Sequence, residues 1–182
     1  KQAGLTVVGG GPLFTMEHDA IAGVDHAILN EAELTLPRFL QDLQNGTAAP
    51  VYSSDDFAAM SESPTPRWDL ADRKQYHSMA IQYSRGCPFN CDFCNITSLL
   101  GHRVRTKSTA QILRELDAMY ASGWRNNVFF VDDNFIGNKR HLKQFLAELR
   151  GWLARHRWPF EFTTEASVNL ADDDELLSLM QD

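Results

Sequence analysis

All three cysteines of the chain lie within eight residues, Cys87-Pro88-Phe89-Asn90-Cys91-Asp92-Phe93-Cys94, spaced C-x3-C-x2-C. Thiolates are soft ligands, and spacings of three and two let one short loop turn them toward a common point, as soft metals and iron–sulfur clusters require. An odd number of cysteines leaves a thiol over from any closed set of disulfides. A cubane cluster normally takes four thiolates. Three on one loop, with no fourth cysteine in the chain, leave one iron open to another ligand. The competing reading is zinc, which usually takes four Cys or His ligands. For that metal the sequence has His102 to offer, eight residues beyond Cys94.

The elements around this loop read as alternating strands and helices. Ile81 to Gly86 reads as a strand running into the cysteines, with Gly86 and Pro88 shaping a tight approach. Ser108 with Gln111 forms a capping-box pattern ahead of a helix whose apolar stripe is Ile112, Leu113, Leu116, Met119 and Tyr120. Val128 to Val131 is a continuous apolar run, as in a parallel strand buried on both faces. A helix follows from about Lys139 to His156, with Leu142, Phe145, Leu146, Leu149, Trp152 and Leu153 inward. Phe160 to Thr164 reads as a third strand, and Asp172-Asp173-Asp174 opens a last helix with acids at its positive end. This order predicts right-handed parallel units, half or more of a partial barrel. Barrel sites gather at the carboxyl ends of the strands. Three features fall there: the cysteine loop, Asp132-Asp133-Asn134, and Glu165. In isolation an Asp-Asp-Asn is most simply a solvated turn.

Upstream, Leu5 to Val8 reads as a buried strand ending in the turn Gly9-Gly10-Gly11, and Val24 to Leu29 as a second strand. Leu34 to Leu43 reads as an amphipathic helix with Pro37 in its first turn and Asn45-Gly46 as its stop. These 46 residues have the pattern of the tail of a doubly wound sheet. Residues 47–76 are polar and proline-punctuated, with little periodicity, and read as a linker.

The cysteine pattern, with an aromatic residue before the third cysteine, resembles the radical S-adenosylmethionine (SAM) superfamily. That resemblance implies a 4Fe–4S cluster on Cys87, Cys91 and Cys94, SAM chelating the open iron, and Phe93 beside the adenine. Carboxylates are natural acceptors for an ammonium and a ribose diol. Asp132 and Asp133, with Asn134, are therefore expected at the SAM amino group, and Glu165 near the ribose or the sulfonium and carboxylate. Arg103, Arg105 and Lys107 would balance the cluster or hold the SAM carboxylate, unless they are a solvated extended segment.

Ile81 to Phe89, Val131 to Asn138 and Thr164 to Leu170 together resemble the cobalamin-binding group of that superfamily that includes hopanoid C-2 methylases. The implied organisation is the C-terminal part of a Rossmann-like cobalamin-binding domain in residues 1–46, a linker in 47–76, and the N-terminal part of a partial (β/α)6 barrel in 77–182. Gly9 and Gly10 would lie against the cofactor's nucleotide tail. The group's Gly-Glu-x-Glu segment appears here as Asn30-Glu31-Ala32-Glu33, without its glycine. The implied activity is reductive SAM cleavage to a 5′-deoxyadenosyl radical with methyl transfer to an unactivated carbon of an apolar substrate, fed by a flavodoxin- or ferredoxin-like donor. The alternatives are radical cyclisation or rearrangement without methyl transfer, and a non-catalytic metal or electron-transfer module.

Composition bounds these readings. The 182 residues are 43% hydrophobic with a net charge of −7, which argues against a nucleic-acid-binding surface. No apolar run approaches the roughly 20 residues of a membrane span. Lys1 to Gly4 do not form a signal peptide, and cluster thiols must stay reduced, so the expected compartment is the cytoplasm. Lys1 is not an initiator Met and the last apparent helix runs to Asp182. The chain therefore reads as a central excerpt of a larger enzyme.

Overall fold

Two sheets of three parallel strands organise the computed structural model, which describes residues 3–181, one sheet in each of the units Lys1–Glu62 and Ser63–Asp182. Lys1, Gln2 and Asp182, which carried the reading of the chain ends, lie outside the described residues.

In the first unit the strands β1 (Val8–Gly10), β2 (His26–Ile28) and β3 (Val51–Tyr52) pair in sequential order. Helix α1 (Pro12–Glu17) links β1 to β2, and α2 (Ala32–Asn45) links β2 to β3. Phe39 of α2 is the hub of a small core with Ile28 and Tyr52, its ring centroid 5.1 Å from His26 and 5.5 Å from Tyr52. Gly46 ends α2 in the left-handed conformation, its N–H donating to the Asp42 and Leu43 carbonyls, as the Asn45-Gly46 stop predicts.

Three local expectations are corrected here. The first strand starts at Val8 rather than Leu5. The Val7 N–H donates to Asp25 Oδ2 at 2.9 Å, and the Val7 carbonyl accepts from the Asp25 and His26 amides. Gly9 and Gly10 are consequently strand residues, and the turn begins at Gly11, φ +94°. Pro37 falls in the second turn of α2, because the helix starts at Ala32, and there it forfeits the bond to the Glu33 carbonyl. The segment 47–76 contains β3 and divides between the units after Glu62.

In the second unit β7 (Val128–Phe130) is the middle strand, parallel to β4 (Met79–Ile81) on one side and β8 (Phe162–Thr164) on the other, with Ile81, Phe130 and Thr164 in register. Between β4 and β7 come β5 (Ser84–Arg85), α3 (Ile96–Leu100), β6 (Arg105–Thr106) and α4 (Thr109–Ala121); α5 (Lys139–Arg155) joins β7 to β8, and α6 (Asp174–Gln181) follows. The Ser108/Gln111 capping box forms with both reciprocal bonds. All six apolar residues expected on the inner face of α5 are buried, packed with Ile112, Leu116 and Met119 of α4 and Val128 and Phe130 of β7. Lys143 of α5 bridges Asp173 and Glu175 at 2.8 and 2.6 Å, tying α6 to the layer.

The strand expected over Ile81–Gly86 is not continuous. It leaves β7 after Ile81, because the Tyr83 and Ser84 amides turn to the Asp132 carboxylate, and Ser84–Arg85 then pairs antiparallel with Arg105–Thr106. Lys107 does not serve the cysteine loop: its ammonium is buried on Glu115 at 2.6 Å. Among the described residues no helix is long and apolar enough to cross a membrane.

Candidate active site

Parallel pairing brings the carboxyl ends of β4, β7 and β8 to one edge, and that edge carries the cysteine loop, Asp132-Asp133-Asn134 and Glu165. The alternation of β7 sends Val128 and Phe130 to the helix-covered core, leaving Phe129 and Val131 for the other face. Phe129 and Val131 form the apolar floor of a cavity of about 300 Å³ whose chemical groups are Cys87, Cys94, Asp132, Asp133 and Glu165. Residues separated by up to 78 positions in sequence thus share one cavity (Cys87 and Glu165).

The base of the cysteine loop is held residue by residue. A Cβ at Gly86, φ +90°, would lie 2.6 Å from the Arg103 carbonyl oxygen, 2.9 Å from that of Gly101 and 3.1 Å from that of Leu100; only glycine fits there. The Cys87 N–H donates to the Gly101 carbonyl at 3.2 Å, and that of Cys94 to the Cys91 carbonyl at 3.0 Å. The cysteines are free thiols, Cys87 and Cys94 half-buried and Cys91 exposed. Phe93 is 93% exposed and stands outside the cavity lining. Among the described residues no three His, Cys, Asp or Glu side chains are gathered closely enough to hold a metal. The donor set nonetheless fits a soft iron–sulfur centre in its chemistry: three unoxidised thiols on one loop, two of them facing a cavity that also holds carboxylates.

The three residues after β7 behave differently from one another. Asp132, 2% exposed, accepts the Tyr83 N–H on Oδ2 at 2.9 Å, and both the N–H and the hydroxyl of Ser84 on Oδ1. Burial pushes its carboxyl up to about 6, against the lowering effect of those hydrogen bonds. Asn134, 3% exposed, uses Oδ1 to accept from the Ser167 N–H and hydroxyl at 3.3 and 3.2 Å. Asp133 between them is exposed, though partial desolvation still raises its carboxyl. Glu165 is exposed at the cavity, its carbonyl accepting the Phe135 N–H at 3.0 Å. Ser84, Ser167 and Gly137 belong to this site and were not singled out from the sequence. Gly137 packs the loop after β7 against Pro88 and Val104, with a Cβ there 3.6 Å from Pro88 Cδ and 3.0 Å from Val104 Cγ2.

Gly9 and Gly10 lie in the other unit. The space a Gly9 side chain would take is filled by the Phe14 ring, 2.3 Å from the ideal Cβ, and a Cβ on Gly10 would lie 3.0 Å from the Ile28 carbonyl oxygen. Open backbone begins at Gly11, where nothing lies within 4 Å of the Cβ position. A close approach by a bulky cofactor therefore fits Gly11 better than Gly9. Asn30 stands where the resembling segment has glycine, and its φ is +60°; asparagine tolerates that region better than most residues.

The sequence pattern of the Radical SAM superfamily matches residues 81–182. The chain belongs to the radical SAM superfamily. It is 50% identical over 182 residues to an uncharacterized methyltransferase of Synechocystis sp., covering 99% of this chain and 34% of that protein. It is 35% identical over 182 residues to the hopanoid C-2 methylase of Rhodopseudomonas palustris, covering 98% of this chain and 34% of that one. The chain thus spans about a third of the length of these curated relatives. Its fold is similar to that of the radical S-adenosylmethionine methyltransferase TsrM from Kitasatospora setae, solved with cobalamin and a [4Fe-4S] cluster bound, at a TM-score of 0.60 and 17% identity over 96% of this chain and 36% of that one. The likeness to TsrM is one of fold, an α/β architecture of parallel sheets.

Proposed function

We propose that the protein is a radical SAM methyltransferase that uses cobalamin and methylates an unactivated carbon of an apolar small molecule. The observation that carries this reading is the single cavity shared by Cys87, Cys94, Asp133 and Glu165 at the carboxyl edge of a parallel sheet. Support comes also from the relatives, which are named methyltransferase and hopanoid methylase. Cys87, Cys91 and Cys94 would hold the 4Fe–4S cluster. Asp133 and Glu165 face the cavity and would accept the SAM ammonium and ribose hydroxyls, with Phe93 toward the adenine. In the other unit, the glycine run would present backbone to the cobalamin at Gly11, beyond Gly9 and Gly10, which the strand and Phe14 cover. When bound, these groups supply a 5′-deoxyadenosyl radical and a methyl carrier. The chain's own residues fix where SAM lies: Phe129 and Val131 keep the floor of the cavity apolar, which strengthens the charge-assisted contacts made above it. A flavodoxin- or ferredoxin-like donor and a cytoplasmic setting follow from the need for a reduced cluster.

The test uses the native protein, reduced anaerobically with cobalamin, methyl-labelled SAM and a hopanoid probe. The expected result is 5′-deoxyadenosine together with label in the lipid, both lost in Cys87→Ala. Label absent from the lipid while 5′-deoxyadenosine forms would contradict methyl transfer to this lipid class, and neither product above the Cys87→Ala control would contradict the enzyme reading.

A further inference from the structure

We infer that Asp132 is a positioning residue for the cysteine loop and not a SAM contact. The inference rests on the radical SAM reading above. Both carboxylate oxygens of Asp132 are engaged within the protein: Oδ2 takes the Tyr83 amide, and Oδ1 takes the amide and the hydroxyl of Ser84. The residue is 2% exposed, whereas Asp133 beside it is exposed at the same cavity. A buried carboxylate facing amide and hydroxyl donors already holds the charge-assisted bonds that a ligand ammonium would have to displace.

Asp132 also acts at a defined point. Its partners Tyr83 and Ser84 begin the five-residue stretch that ends at Cys87, and each of the other three is fixed in turn. Arg85 pairs with Arg105. Gly86 is enclosed by three carbonyl oxygens, and the Cys87 amide is bonded to Gly101. The same carboxylate ends the β4–β7 ladder at Ile81, because it draws the following amides away from β7. A displacement at Asp132 is therefore passed along this stretch to Cys87. Outer supports of this kind tune a metal centre without touching it.

The experiment compares Asp132→Asn, Ser84→Ala and Asp133→Asn in the anaerobically reconstituted native protein. Three quantities are read: retention of cluster iron against a chelator, the EPR spectrum of the reduced cluster, and SAM affinity of the cluster-loaded protein. Asp132→Asn is expected to weaken iron retention about ten- to a hundredfold, the range for lost outer-shell support. It should alter the EPR spectrum, and change SAM affinity less than about threefold, under about 0.7 kcal/mol. Ser84→Ala, which keeps both amide bonds, should shift retention and spectrum in the same direction by less. Asp133→Asn should leave both unchanged and weaken SAM binding about ten- to a hundredfold. The inference is overturned if Asp132→Asn keeps wild-type retention and spectrum, whether or not SAM binding weakens. Should Asp132→Asn fail to fold, Ser84→Ala decides: wild-type retention and spectrum there also overturn it. Wild-type protein that loads no cluster would instead overturn the functional reading itself.

Discussion

β2 and β7 are each the middle strand of a three-stranded parallel sheet, and each is followed by polar residues that clasp the neighbours on both sides. After β2, the Asn30 N–H donates to Thr15 Oγ1 at 2.8 Å, beyond β1, and Asn30 Oδ1 accepts the Ser54 N–H at 3.3 Å, beyond β3. After β7, Asp132 reaches the exit of β4, and Asn134 reaches Ser167 beyond β8. The topology poses the same problem twice, since strand ends at the carboxyl edge of a three-stranded sheet must be held without more sheet. The solutions differ in burial: Asn30 is exposed, whereas Asp132 and Asn134 are almost fully buried. Water can replace a lost bond at Asn30 and cannot at Asp132, so the two clasps should differ in what they contribute.

The largest expected effect follows directly. Asp132→Ala strands two buried amides and a buried hydroxyl, and at about 1–3 kcal/mol for each unsatisfied group the loss of unfolding free energy should reach about 3 kcal/mol or more. Chemical denaturation checks it, and a loss under about 1 kcal/mol would erase the contrast between the clasps.

A pH series sharpens the contrast next. The Asp132 carboxyl is raised to about 6 in the fold from an ordinary 3.8. The folded state therefore binds more protons between those values. The associated stability is fully present below pH 3.8 and is lost as pH rises through about 6. The difference in stability between wild type and Asp132→Asn should shrink by up to about 3 kcal/mol from pH 4 to pH 7. Asn30→Ala should leave that slope alone. A flat difference curve would contradict the raised carboxyl.

The smallest effect belongs to the exposed clasp. Asn30→Ala leaves φ +60° to a residue that tolerates it less well than asparagine and removes one side-chain bond, for about 1–2 kcal/mol. Asn30→Gly relieves the backbone while losing the same bond and should fall within about 0.5 kcal/mol of wild type. Equal losses for the two variants would show that the side chain, not the backbone conformation, is what matters there.

Much of this was legible in the sequence where periodicity or spacing carried it. The inner face of α5, the Ser108/Gln111 cap and the order of β4, β7 and β8 follow from local pattern. The cysteine spacing marked the chemistry, and the strand order brought Asp133 and Glu165 to it. What local pattern could not carry was long-range. The break after Ile81 is made by a carboxylate 48 residues beyond Ser84, and nothing near Ile81 announces it. Three adjacent polar residues, Asp132 to Asn134, look alike in sequence; the first and third are buried on distant partners, Tyr83 and Ser84 for Asp132 and Ser167 for Asn134, while the second stays exposed. α1 and β3 are too short for a periodic signal, and Lys107 reads as a cation for the cluster or SAM, or as a solvated one, until its partner Glu115 on α4 is seen.

The measurement that bears most directly on the central claim is iron, sulfide and zinc analysis of the native protein, reconstituted anaerobically, with EPR of the reduced form before and after SAM is added. The expected result is about four irons and four sulfides per chain. SAM should perturb the spectrum, and Cys87→Ala, Cys91→Ala and Cys94→Ala should each abolish the signal. One zinc per chain, stable in air and dependent on the same three cysteines, would contradict it.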